Sequence, residues 1–114
     1  MIQVAVNWFL SYYFNMKDII EYAFFSKLTA LPFVDEIWLY GSRARGDHHA
    51  KSDYDIAFVC PRASENDWLQ VVDIVEEADT LCKVDYVCFD KLPASEPLKK
   101  LIERDKKILY RRIT

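Results

Sequence analysis

Hydrophobic and polar positions follow two different periods along this chain. Val34 to Tyr40, Asp53 to Cys60, Lys83 to Phe89 and Lys107 to Arg111 are short apolar-rich runs bounded by turn or polar residues, so they read as strands. In the second run Asp53 and Asp55 point one way, while Tyr54, Ile56 and Phe58 point the other, into an apolar layer. In the third, Val84, Tyr86 and Cys88 alternate with Asp85, Val87 and Phe89. Between these runs the period lengthens. Ile19, Ile20, Ala23, Phe24, Lys27 and Leu28 recur at helical spacing after a start at Asn15 to Asp18, and Pro32 stops that helix. Ser64-Glu65-Asn66-Asp67 resembles a capping box and leads into the stripe Trp68, Val71, Val72, Val75 and Ala78. Ser95-Glu96-Pro97 opens a further helix that buries Leu98, Leu101 and Ile102. The pattern predicts an α+β domain: a mixed sheet of about four strands, helices mostly on one face, and an open face on the other side.

Residues 1–15, MIQVAVNWFLSYYFN, form an apolar and aromatic extension, and residues 16–114 hold the predicted domain. The extension lacks Lys and Arg, has no small-residue cleavage site after it, and is too short to span a bilayer. Three readings stand for it: an extra packed element, sequence upstream of a natural start at Met16, or an interface whose aromatic surface needs a partner.

The chemistry is concentrated in Gly41-Ser42-Arg43-Ala44-Arg45-Gly46 and the following Ser52-Asp53-Tyr54-Asp55. Both glycines of the chain lie there. Gly41 ends a strand and allows a sharp turn with close ligand approach. Ser42 opens a short helix whose free N–H groups favour an anion. Two carboxylates on one strand face sit roughly 6.6 Å apart along the backbone, and at about 4 Å they would repel by about 4 kcal/mol at a surface-like dielectric. A hard cation between them relieves that repulsion, and Mg²⁺ is the natural candidate beside phosphate. Arg43 and Arg45 are candidates for gripping phosphate oxygens, or for structural ion pairs.

The run GSRARGDHHAKSDYDIAFV resembles the nucleotidyltransferase superfamily that includes DNA polymerase beta, and most of all its minimal nucleotidyltransferases. Gly41, Ser42, Ala44, Arg45, Gly46, Ser52, Asp53 and Asp55 match the family pattern, and Asp85 fits its third acidic position. The resemblance covers about half the chain. It implies that Asp53, Asp55 and Asp85 hold two Mg²⁺ ions about 3.5–4 Å apart. It further implies that Gly41 and Ser42 hold the phosphates of ATP or another nucleoside triphosphate, and that AMP passes to a hydroxyl. It implies a small helical HEPN-family protein as acceptor and partner, in a toxin–antitoxin pair. Two alternatives stay open: a non-catalytic nucleotide-binding or partner-masking module, and nucleotidylation of a small molecule of the antibiotic type. Replacement of Asp53 by Asn separates masking from catalysis.

Composition narrows this picture. One domain fits 114 residues, and 52% hydrophobic content supports a core. A net charge of -3 and a pI near 5.3 argue against direct nucleic-acid binding. Cys60, Cys82 and Cys88 show no CxxC spacing, so neither a disulfide framework nor a zinc knuckle is indicated, and reduced thiols suit the cytoplasm. No segment calls for a membrane, and a homo-oligomer remains open. His48 and His49 read as solvated loop residues. From Pro97 onward seven Lys or Arg face only Glu103 and Asp105, a pattern expected of a protected edge or of a surface for an acidic partner.

Overall fold

The computed structural model describes residues 19–113. The extension 1–15 and the predicted helix start at Asn15 to Asp18 lie outside them. A 3₁₀ turn, Ile19–Glu21, precedes helix α1, Ala23–Thr29. Then follow β1, Glu36–Tyr40; α2, Gly41–Arg45; β2, Tyr54–Val59; α3, Glu65–Glu76; and β3, Val84–Cys88. A second 3₁₀ turn, Phe89–Lys91, helix α4, Pro97–Asp105, and β4, Lys107–Arg111, complete the fold.

The four strands form one mixed sheet in the order β3-β2-β1-β4. β1 pairs antiparallel with both β2 and β4, and its junction with β4 carries a register shift between Ile37 and Trp38. β2 and β3 run parallel, because α3 carries the chain back across the sheet between them.

One face of the sheet holds the main core. Ile37 and Leu39 from β1 and Tyr54, Ile56 and Phe58 from β2 pack there against Phe24, Phe25 and Leu28 of α1 and Val71 and Val75 of α3. Side chains of this size stabilise the fold by about 1.5–3 kcal/mol each when fully buried. α3 begins with the predicted capping box: Asp67 N–H donates to Ser64 Oγ at 3.0 Å, and Ser64 N–H to Asp67 Oδ2 at 2.9 Å. α1 is shorter than its pattern predicts, since the chain at Tyr22 is extended and separates it from the 3₁₀ turn.

The second face is only partly open. α4 lies across it and buries Ile102 against Trp38, Tyr40 and Ala57, with Leu98, Leu101 and Phe89 around them. Trp38 and Phe89 meet edge to face at 4.8 Å, and Lys106 Nζ stands 4.1 Å from the centre of the Trp38 ring. The sequence signal for this second layer is β1 itself, which is apolar at consecutive positions, as a strand covered on both faces should be.

Candidate functional site

The uncovered part of the second face lies where β1 ends. Tyr40 hands the chain to Gly41, whose φ of +74° turns it directly into α2. Gly46 closes that five-residue helix at φ +88°, where its N–H and that of Asp47 donate to the Ser42 carbonyl at 2.9 and 3.1 Å. Both left-handed conformations explain why glycine stands at these two places.

Strand register brings two of the three acids together. Asp55 is the cross-strand partner of Tyr40 on one side and of Asp85 on the other. Neighbouring strands lie about 4.8 Å apart, so Asp55 and Asp85 stand side by side on one face. Asp53 is the residue immediately before β2, because ladder pairing begins at Tyr54, whose N–H donates to the Lys83 carbonyl at 2.9 Å. The expected placement of both Asp53 and Asp55 within the strand therefore holds only for Asp55. Asp53 still acts on its neighbour. Partial burial raises the Asp55 carboxyl above its usual range, and the charges of Asp85 and Asp53 add to that rise, while Arg45 and Lys83 offset part of it. The Tyr40 phenol is pushed up to about 12 by burial and by the charges of Asp55 and Asp85.

Gly41 lies against this group. A Cβ built there would collide with Asp55 Oδ2 and approach its Cγ to 3.2 Å. The turn therefore does more than reverse the chain; it leaves room for a carboxylate directly beside the backbone. Ser42 is half-buried at the start of α2.

The two arginines have separate places. Arg43 is 8% exposed. Its Nε donates to the Ser52 carbonyl at 3.0 Å, and its Nη2 to the Ala50 carbonyl at 3.1 Å and towards Cys82 Sγ at 3.5 Å. The guanidinium also stacks 4.0 Å above the Tyr54 ring. Of the two roles expected for Arg43, phosphate grip or structural pairing, this geometry favours a structural one: its fork donates to backbone carbonyls and clamps the loop that delivers Asp53. Arg45 is ion-paired with Asp47 at 3.1 Å and with Asp105 at 2.9 Å. Asp105, the last residue of α4, has a side chain only 5% exposed and also pairs with Arg104 at 2.8 Å. Arg104 and Arg45 hold its carboxyl down to about 2. Arg45 thus fastens the glycine turn to α4 while its charge still reaches Asp55.

Three further groups stand beside the acids, of which only Ser52 was part of the sequence motif. Lys83 Nζ lies 3.3 Å from Asp85 Oδ1, with both side chains well exposed. Tyr40 faces the acids from β1. Ser52 shapes the loop, its Oγ accepting the His49 N–H at 3.0 Å and its own N–H reaching the His49 carbonyl. His49 is therefore built into a turn, and Nδ1 of His48 is buried with no hydrogen-bond partner. An open groove of about 470 Å³, lined in part by Glu76, Leu81, Asp85 and Tyr86, runs beside the third acid. A second groove of about 430 Å³ sits where Arg62 and Arg112 pair with Asp35 and Arg111 pairs with Glu36. Of the C-terminal basic residues, Arg104, Arg111 and Arg112 are engaged in ion pairs.

The acids, the tight turn and the free helix start suit a polyanion accompanied by hard cations. Carboxylate oxygens are the donors such cations prefer, and partial burial, with the charges of Asp85 and Asp53 added, raises the Asp55 carboxyl above its usual range. Among the described residues no helix is long and apolar enough to cross a membrane.

Comparison with known proteins agrees. The family model "Polymerase beta, Nucleotidyltransferase" matches residues 17–113. A toxin–antitoxin crystal structure with AMP-PNP is similar at a TM-score of 0.56 and 25% identity, covering 78% of this chain and 72% of that one. The toxin–antitoxin MntA–HpeT, in a tyrosine-to-alanine mutant, is similar at a TM-score of 0.54 and 25% identity, covering 77% and 70%. A protein of Sulfolobus solfataricus classed as a nucleotidyltransferase aligns at a TM-score of 0.52 and 26% identity, covering 78% and 75%. No curated protein matches at a significant level. The chain belongs to the polymerase beta nucleotidyltransferase family and is of its minimal nucleotidyltransferase type.

Proposed function

We propose that this protein transfers a nucleoside monophosphate, AMP from ATP, to a hydroxyl on a partner protein in a toxin–antitoxin pair. The observation that carries this reading is the pairing of Asp55 with Asp85 in register, beside a glycine whose missing side chain leaves space for the Asp55 carboxylate. The similarity to a toxin–antitoxin with AMP-PNP and to MntA–HpeT supports both the nucleotide and the partner class. A helical HEPN-family protein is the partner that the family resemblance implies.

Asp53, Asp55 and Asp85 would hold two Mg²⁺ ions. Bound there, the ions would supply charge neutralisation for the entering oxygen and the departing pyrophosphate. The chain's own groups do the rest. The backbone N–H groups at Gly41 and Ser42 and the Ser42 hydroxyl bind the β and γ phosphates, as an exposed helix start favours. Arg45 stays on Asp105 and braces the turn. Asp85, on the edge strand beside the open groove, accepts the proton of the attacking hydroxyl. The hydroxyl oxygen bonds to the α-phosphorus, the α–β bridging P–O bond breaks, and pyrophosphate leaves. Most of the rate gain then comes from position and fixed charge. Lys83 lets go of Asp85 at little cost, since exposed ion pairs are worth about 0–1 kcal/mol.

Mixing the chain with its toxin partner, ATP and Mg²⁺ should add the mass of AMP to the partner. Asp53→Asn should abolish the addition and leave the fold intact. Retained transfer in that variant, or addition to a small molecule and not to the partner, defeats the proposal. If Asp53→Asn still neutralises the partner, the protein acts by masking.

A further inference from the structure

The end of β2 and β3 remote from the glycine turn carries a second group of ligating atoms. Cys60 follows β2, Cys88 ends β3, and Asp90 lies in the 3₁₀ turn after it. Both cysteines are enclosed, at 3% and 8% exposure, with their sulfurs 3.7 Å apart. Asp90 is exposed, and its Oδ2 accepts the backbone N–H of Cys60 at 2.7 Å. One sulfur from each cysteine and one oxygen from Asp90 all lie within 4.8 Å of one another.

The sulfur–sulfur distance of 3.7 Å matches a tetrahedral ion, and the Asp90 oxygen lies within 4.8 Å of both sulfurs. Two thiolates about 2.3 Å from zinc stand about 3.8 Å apart at the tetrahedral angle, and a carboxylate oxygen about 2.0 Å from zinc stands about 3.5 Å from each. A disulfide fits less well. Cys88 is the register partner of Phe58, so Cys60 lies two residues further on. Continuing the strand geometry puts the two Cα atoms roughly 8 Å apart, past the limit of about 7 Å for a disulfide.

We propose that Cys60, Cys88 and Asp90 form a zinc site, separate from the all-oxygen site at Asp53, Asp55 and Asp85, with its fourth position open to solvent beside Asp90. The two donor sets select different ions: thiolates favour zinc, and carboxylates alone favour Mg²⁺. The Cys60 N–H fixes the carboxylate from behind, as an outer partner of a ligand does. Binding forms two Zn–S bonds and one Zn–O bond and sends the two thiol protons to solvent, with no oxidation or reduction. The ion joins the ends of β2 and β3 to the turn after them.

The test uses the reduced full chain in Mg²⁺ buffer, titrated with Co²⁺ and then Zn²⁺. One Co²⁺ per chain should give a thiolate-to-cobalt charge-transfer band, which Zn²⁺ then abolishes, with about two protons released per chain. Cys60→Ser and Cys88→Ser should each lose the band. Those positions are in the core, so Asp90→Asn provides a surface variant: it should fold normally, keep nucleotidyl transfer and bind zinc at least tenfold more weakly. No band in the reduced wild-type chain, or zinc affinity unchanged in Asp90→Asn and both serine variants, overturns the proposal.

Discussion

Gly41 and Asp55 fit together so closely that no side chain can stand between them: a Cβ on the glycine would occupy the place of Asp55 Oδ2. Gly41→Ala therefore meets two obstacles, the displaced carboxylate and a φ of +74°. Gly46 has an equally positive φ but nothing within 4 Å of the position its Cβ would take. We expect Gly46→Ala to cost about 1–2 kcal/mol of stability from backbone strain alone and to keep activity per folded molecule. Gly41→Ala should cost more and lose transfer even when folded. Urea titration beside a transfer assay distinguishes the two.

Arg43 should behave as a clamp. Arg43→Ala leaves the carbonyls of Ala50 and Ser52 without their donor and removes the guanidinium from the Tyr54 ring. A loss of about 3 kcal/mol is expected. Arg43→Lys should recover little of it, because an ammonium cannot reproduce the planar fork. If either variant is as stable as the parent and changes only the KM for nucleotide, Arg43 contacts phosphate after all.

If Asp85 holds metal as proposed, Lys83, 3.3 Å from its Oδ1, competes with that metal. Removing it as Lys83→Ala should lower the Mg²⁺ concentration needed for half-maximal activity by up to about fivefold, the size of an exposed ion pair. The effect should shrink in high salt. A higher Mg²⁺ requirement in the variant would mean that Lys83 assists the reaction.

Two carboxyls give opposite pH responses. Asp55 is raised in the fold by burial and by Asp85 and Asp53, so its contribution is favourable below its unfolded pKa of 3.8 and is lost as pH rises through the folded value. Without metal, Asp55→Asn should stabilise the protein at neutral pH, with the gain fading towards pH 4. Asp105 is lowered to about 2 by Arg104 and Arg45, so its contribution is present above 3.8 and is lost as pH falls towards 2. Asp105→Asn should flatten the stability curve in that acid window. Chemical denaturation across pH measures both.

The strands were readable because each is a short apolar-rich run bounded by turn or polar residues: Lys107 to Arg111 is a strand end to end, and the other three differ from expectation by a residue or two at their ends. The acids and the glycine turn were readable because their spacing is short and local. What stayed hidden depends on distant neighbours. The fate of Arg43 needs the carbonyls of Ala50 and Ser52 and the sulfur of Cys82, which only folding brings round it. The tie from Arg45 to Asp105 crosses most of the domain. The contact between Cys60 and Cys88 follows from the parallel pairing of β2 with β3, so motif spacing along the chain gives no hint of it.

That parallel pairing also sets when the acids can meet. Parallel neighbours need a crossover, so Asp85 reaches Asp55 only after α3 has packed and the edge strand has docked, a contact of long sequence separation that forms slowly. A half-made chain with its glycine turn and first two acids in place has no third carboxylate. On the proposed reading, the three acids form one site only in the finished domain.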